Sequence, residues 1–131
     1  MLIFDFAYVW SVPVIEKELI AQAAARFRAL GDEGRLGILS LLQRGEKSVN
    51  QLAEATGRSQ PNVSQHLASL AGAGLVEARR EGHHAFYRIA DPNVLRICEA
   101  VCDGLVARAR AERRHAAAVE ARRRRRAGGD R

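Results

Sequence analysis

The stretch "GRSQPNVSQHLASLAGAGLV", residues 57–76, opens like a helix and ends like a turn into a strand. Between those ends lies a row of small polar side chains: Ser59, Gln60, Asn62, Ser64, Gln65, His66 and Ser69. No acid occurs from Arg58 to Gly74. Ser59 has the character of an N-cap, and Pro61 falls in the first turn, where a missing N–H costs little. Val63, Leu67 and Leu70 follow at i, i+4 and i+7, which gives one buried side. "AGAG" at 71–74 ends the helix. The stretch therefore predicts a helix with an apolar inner face and a polar, nearly uncharged outer face.

The flanks give that helix a setting. Ser48 with Gln51 three residues on is a capping-box pattern, and it opens a short helix through Leu52 and Ala55 that stops at Gly57. Two or three residues separate it from the next helix, which is helix-turn-helix spacing. Downstream, "LVEARR" and "AFYRI" are extended runs joined by "EGHH", a hairpin with a Gly turn.

Further out, residues 14–30 place Ile15, Leu19, Ala23, Phe27 and Leu30 at helical spacing before Gly31. Asp32 has the character of an N-cap for a second helix. Its expected apolar face is Leu36, Leu39 and Leu42, flanked by Ile38 and Leu41. Gly34 and Gly37 weaken that helix by about 1 kcal/mol each relative to Ala. Asp91 and Pro92 read as cap and first residue of a last helix with the stripe Leu95, Cys98, Val101, Cys102 and Leu105. The Ala-rich "ARARAERRHAAAVEA" can extend it, and "RRRRRAGGDR" reads as a frayed end. The expected fold class is mainly α with a small β-hairpin, a winged helix-turn-helix. Apolar stripes at both ends of the chain exceed what one small core needs, so a homodimer is expected.

Charge divides the chain. Its 131 residues carry a net +6. Residues 108–131 hold ten Arg against three acids, while residues 1–107 are one negative charge from neutral. The expected division is an N-terminal arm at 1–13, the winged domain with its dimerisation helices at 14–107, and a basic extension at 108–131, partly helical and then disordered. The opening "MLIFDFAYVWSVPV" is apolar but lacks a basic n-region, contains Asp5 and is too short to span a bilayer. It is either an arm that packs on a partner or an extension at the start site. A cytoplasmic protein without membrane attachment is expected.

The outer helix face now has a use. A recognition helix lies in the major groove with its N-terminal residues against base edges. Gln and Asn can bond bidentately to adenine, and Ser can serve base or phosphate. Uncharged polar side chains suit that task, because phosphate contacts position a protein while base contacts specify. The expected DNA-binding set is Ser59, Gln60, Asn62, Ser64, Gln65 and Ser69 on the helix, with Arg58 and the helix N-terminus on phosphate. The wing adds Arg79, Arg80, His83 and His84. The partner is a double-stranded DNA operator.

The run "LAEATGRSQPNVSQHLASLAGAGLVEARREGHHAFYRI" resembles the winged-helix core of the ArsR/SmtB family of bacterial repressors. The resembling residues are Ser59, Gln60, Val63, Ser64, His66, Leu67, Leu70, Ala73, Gly74, Leu75, Val76, Arg80, Gly82 and Tyr87. "LGDEGRLGILSLL" resembles the family's second helix, and the likeness covers about residues 24–106. It implies a homodimer built on the first and last helices, which binds a palindromic operator and releases it when an inducer binds. The family's paired-Cys motif on the third helix would fall at Leu52, Ala53, Glu54 and Ala55, where both thiolates are missing. Its carboxylate and His set on the last helix is absent too: Asp91 is followed by Asn93, and Gly104 and Ala107 occupy the later pair.

"CEAVC" remains as a candidate inducer site. Cys98 and Cys102 are four apart and share a helix face, expected at the dimer interface. Free Cys also packs as a small hydrophobe, and the stripe needs apolar residues there in any case. As a sensor, the pair from each protomer offers a thiolate-bound metal or metalloid site, or a site of oxidation or sulfur-based modification. A disulfide within the helix does not fit, because Cβ atoms at i, i+4 are ~6 Å apart and a disulfide wants ~3.8 Å. The competing functions are a winged-helix protein-interaction module and a DNA-binding regulator without thiol sensing. No nucleophile–base pairing, phosphate loop or metal-ligand quartet supports an enzyme.

Overall fold

The computed structural model describes residues 16–129, so the segment expected to form an N-terminal arm lies outside it. Among the described residues, five helices and a small sheet follow in order: α1 Lys17–Leu30, α2 Glu33–Leu42, β1 Lys47–Ser48, α3 Val49–Thr56, α4 Gln60–Gly72, β2 Val76–Glu81, β3 His84–Ile89 and α5 Asn93–Gly128. The described residues up to Asp91 form one compact unit and those from Pro92 a second. Among the described residues, no helix is long and apolar enough to cross a membrane.

The first unit is held by an apolar centre to which every one of its helices contributes. Leu30, Ile38, Leu39, Leu42, Leu52, Val63, Leu67, Leu70, Leu75 and Val76 are all buried. Burying each such side chain is worth about 1.5–3 kcal/mol relative to leaving it exposed. On α2 the inner face is Ile38, Leu39 and Leu42, whereas Leu36 is 40% exposed. The sequence placed Leu36 inside and Ile38 at the flank. The helix is rotated from that expectation: Gly34 and Ile38, four residues apart, share its buried side.

Local signals end the helices where expected. Asp32 accepts the Arg35 backbone N–H at 2.9 Å and caps α2. Ser48 and Gln51 form the complete capping box of α3. Gly57 closes α3 with φ of +67°, a left-handed turn that suits Gly. Ser59 caps α4, with Pro61 in its first turn.

β2 and β3 pair antiparallel from Val76↔Ile89 to Glu81↔His84. Gly82 and His83 form a two-residue turn, and Gly82 supplies its positive φ of +59°. β1 adds a third strand to the other edge of β3, pairing Lys47 with Tyr87 and Ser48 with Phe86. The sheet order β1-β3-β2 ties the wing to the residues that start α3.

The second unit is one helix. The position preceding α5 is Pro92, one residue later than the cap expected at Asp91. Asp91 pairs with Arg26 of α1 at 2.5 Å. α5 runs 36 residues and carries regular structure through Arg122–Arg126, beyond the point where its composition suggested fraying. Its face holds exposed Ile97, Val101 and Leu105.

Candidate nucleic-acid interface

α3 and α4 form the helix-turn-helix, and α4 turns Val63, Leu67 and Leu70 wholly inward. The polar residues named from the sequence differ in how far their side chains are already engaged. The Ser59 hydroxyl accepts the Asn62 backbone N–H at 3.3 Å. Gln60 donates its amide N–H to Oδ1 of Asn50 on α3, which links the two helices. The Asn62 side chain accepts from the Arg58 guanidinium at 3.4 Å. Ser69 donates back to the Gln65 carbonyl at 3.2 Å. Ser64 and Gln65 are exposed, and among the described residues neither side chain has a hydrogen-bond partner.

The base of α4 shows a contact the sequence did not reveal. An ideal Cβ on Gly34 would lie 2.8 Å from Nε2 of His66 and 3.0 Å from the Arg58 guanidinium carbon. The missing side chain at Gly34 thus lets His66 and Arg58 lie across α2. Nδ1 of His66 is 3.8 Å from Oδ2 of Asp32. The Arg35 backbone N–H, and then the Arg35 charge, hold the Asp32 carboxyl below its usual range. One carboxylate therefore caps α2 and faces α4. The only available sequence signal was a glycine inside a strongly apolar helix.

In the wing, Arg79 is committed internally. It pairs with Glu46 at 2.5 Å and Glu81 at 2.8 Å, and its guanidinium sits 4.9 Å from the Phe86 ring centroid. Those carboxylates raise the Arg79 pKa, and the Arg79 guanidinium lowers that of Glu46. Arg79 is thereby a clasp joining the loop before β1 to both strands of the hairpin. Arg88 pairs with its cross-strand partner Glu77 at 2.6 Å. Arg80 and His83 are exposed and, among the described residues, make no ion pair. His84 tilts against Phe86, with ring centroids 6.4 Å apart. The wing residues named from sequence thus split into a bound Arg79, a His84 that leans on Phe86, and Arg80 and His83, which are exposed near the turn.

Comparison with known proteins defines the class of this arrangement. The description "bacterial regulatory protein, arsR family" matches residues 32–78, which run from the α2 cap into β2. The transcriptional regulator Rv0324 of Mycobacterium tuberculosis is 46% identical over 79 residues, 60% of this chain and 35% of that protein. The arsenical resistance operon repressor of Escherichia coli is 45% identical over 65 residues, 49% of this chain and 56% of that protein. The solution structure of a homodimeric winged helix-turn-helix DNA-binding domain from Mycobacterium bovis is 41% identical, with a TM-score of 0.63. That match covers 68% of this chain and 85% of that one. The chain belongs to the ArsR family of bacterial regulatory proteins. It spans between about a third and just over half of the length of these two curated relatives.

ArsR-family membership brings the winged helix-turn-helix fold with it, and the five helices and hairpin have that architecture. The cysteines lie apart from the helix-turn-helix, on α5. Cys98 is half-buried and Cys102 exposed, and both are free thiols. Burial, and then the neighbouring Cys102, push the Cys98 thiol above its ordinary pKa. Among the described residues, no three or more His, Cys, Asp or Glu side chains gather as a metal site.

Proposed function

We propose that this ArsR-family chain is a cytoplasmic, sequence-specific transcriptional repressor that binds its DNA operator as a homodimer. The observation that carries this reading is the state of the α4 outer face. Its side chains are neutral, and Ser64 and Gln65 are exposed without internal partners. Gln65 reads a base edge, with Ser64 beside it. Ser59, Gln60, Asn62 and Ser69 brace the helix and reach DNA through whatever bonding capacity their internal contacts leave. Arg58 and the α4 N-terminus take phosphate. Arg80, His83 and His84 approach the adjacent backbone, while Arg79 holds the wing in shape.

Dimerisation uses the exposed apolar side chains of α1 and α5. Leu19, Ile20 and Phe27 on α1 and Ile97, Val101 and Leu105 on α5 are between 41% and 64% exposed. A homodimeric relative with the same fold supports this assignment. The domain division follows: residues 14–107 form the DNA-binding and dimerising body, and 108–131 a basic extension.

The inducer site is the Cys98/Cys102 pair. Thiolates select soft metals and metalloids, and a relative is an arsenical resistance operon repressor. Two sulfurs four apart on one helix face are a partial donor set. A second pair across the dimer's two-fold axis completes it. Binding there changes the angle between protomers, and with it the spacing of the two reading helices, which must match half-sites ~34 Å apart.

The test is a gel shift against the gene's own upstream region, with and without arsenite or soft metal ions. Wild type is compared with Cys98→Ser/Cys102→Ser. Specific binding by both proteins, with release of wild type alone, is the expected result. No preference for any upstream sequence removes the repressor assignment. Equal release of both proteins removes the cysteines from the inducer site.

A further inference from the structure

The longest feature of the chain is unused by the reading above. From Arg108 to Arg126, α5 carries nine arginines and two acids, and both acids are already paired. Arg108 bonds Glu112 at 3.1 Å, and Arg124 bonds Glu120 at 3.2 Å, each within one turn of the helix. Seven guanidiniums, with their positive charges, remain without an ion pair among the described residues.

They are also arranged. At roughly 100° per residue, Arg110, Arg113, Arg114 and Arg125 fall within about 120° of one another. Leu105, Ala109, Ala116 and Val119 continue the apolar stripe on a separate face, centred about 140° away. Arg122, Arg123 and Arg126 point to other sides near the helix end. Arginines at i, i+3 and i+4 repel one another, by a few tenths of a kcal/mol per pair. The helix C-terminus favours cations, which offsets part of that cost. A polyanion would offset the rest.

The body itself carries no net positive charge. Residues 1–107 sum to −1. Arg26, Arg79 and Arg88 are spent on carboxylates, and Arg35 on the carbonyls of Ala29 and Arg28. The α4 outer face holds no acid and, beyond Arg58, no Arg or Lys. A DNA-binding protein draws most of its non-specific affinity from neutralised phosphates and released counterions. Arg108 to Arg126 spans about 27 Å of helix, the length of roughly eight base pairs.

We infer that α5 from Arg108 to Arg126 is a phosphate-binding arm that grips the double-stranded DNA flanking the operator. The inference rests on the repressor reading above. The arm supplies affinity and α4 supplies sequence preference.

The experiment compares full-length wild type with R110Q/R113Q/R114Q/R125Q, in which Gln keeps a similar helix propensity and the Arg108–Glu112 and Arg124–Glu120 pairs stay. Circular dichroism first establishes that both are equally helical. Binding to the operator and to a scrambled duplex is then measured from low to moderate salt. For the variant, the slope of log affinity against log salt is shallower by about 0.9 per lost phosphate contact, and operator affinity falls at least tenfold at low salt. The ratio of operator to scrambled affinity stays within about threefold of wild type. Adding ten base pairs on each side of the operator tightens wild type and leaves the variant nearly unchanged.

Equal salt slopes and equal responses to flanking DNA overturn the inference. So does an unchanged slope accompanied by binding of wild type alone to phosphatidylglycerol vesicles, which would assign the arm to a membrane surface. If wild type shows no preference for the operator over scrambled duplex, the repressor reading fails. The salt slopes on scrambled DNA then still decide whether the arm binds phosphate.

Discussion

α4 and the distal half of α5 are both solvent-facing helices, and their outward surfaces are opposites. Beyond Arg58 at its entrance, α4 presents Gln, Asn and Ser, with no Lys, Arg or acid. Distal α5 presents arginines, with its two acids already paired. A helix that must tell one base pair from another gains from groups whose hydrogen bonds are directional and whose attraction is short-ranged. A helix that holds any duplex gains from charge, which carries no sequence information. The wing between them shows that charge alone is a poor guide. Arg79 has the residue type of a phosphate contact, yet it is bound to Glu46 and Glu81 and its work is structural.

That contrast can be broken at its supports. Leu67 lies fully buried beneath α4. Leu67→Ala is expected to destabilise the body by about 2–5 kcal/mol. Chemical denaturation followed by fluorescence of the native chain measures this. A cost below about 1 kcal/mol would mean that α4 is not anchored through this side chain. Sequence preference should fall with the folded fraction, while attachment through the arm persists.

A smaller effect is expected one helix earlier. Ser48→Ala removes half of the capping box that starts α3 and should cost about 1 kcal/mol. Thermal unfolding with a midpoint unchanged from wild type would show that β1, not the cap, fixes the start of α3.

The smallest effect concerns the wing and depends on pH. Arg79 holds the Glu46 carboxyl below its ordinary 4.5. The clasp's contribution is therefore present in full above that pH and is lost as the pH falls through the lowered value. Glu46→Gln should flatten this part of the stability–pH curve and leave stability at neutral pH slightly reduced. Parallel curves for wild type and variant over the acid range would remove the clasp from the account.

Much of this was legible because local chemistry decides it. Ser48 with Gln51, Ser59 with Pro61, and Gly82 between two extended runs each announce one element by a side chain acting within three residues. What stayed hidden depends on residues far apart in the chain. β1 is two residues long, with no periodicity to detect, and exists because Lys47 and Ser48 meet Tyr87 and Phe86. The Asp91 carboxylate accepts from Arg26, 65 residues away, a pairing that no local pattern announces. Ile38 is buried while Leu36 is 40% exposed, and Gly34 lies against His66 and Arg58, a contact between residues more than twenty apart in the chain. The arginine run at 122–126 stays helical because alanines and two i, i+4 ion pairs precede and enter it, and the helix dipole favours cations at its end. On α4, the sequence placed the polar row on one helix, as the structure does. It could not separate side chains engaged within the fold from those left open, since Gln60 bonds Asn50 on another helix.

The central claim is that α4 reads DNA through Gln65. Gln65→Ala tests it most directly, with affinity measured on the operator and on a scrambled duplex at one salt concentration. A loss of about 1–3 kcal/mol on the operator, with scrambled-duplex binding and thermal stability nearly unchanged, is the predicted result. An equal loss on both duplexes would contradict it and make Gln65 a phosphate-contacting or folding residue.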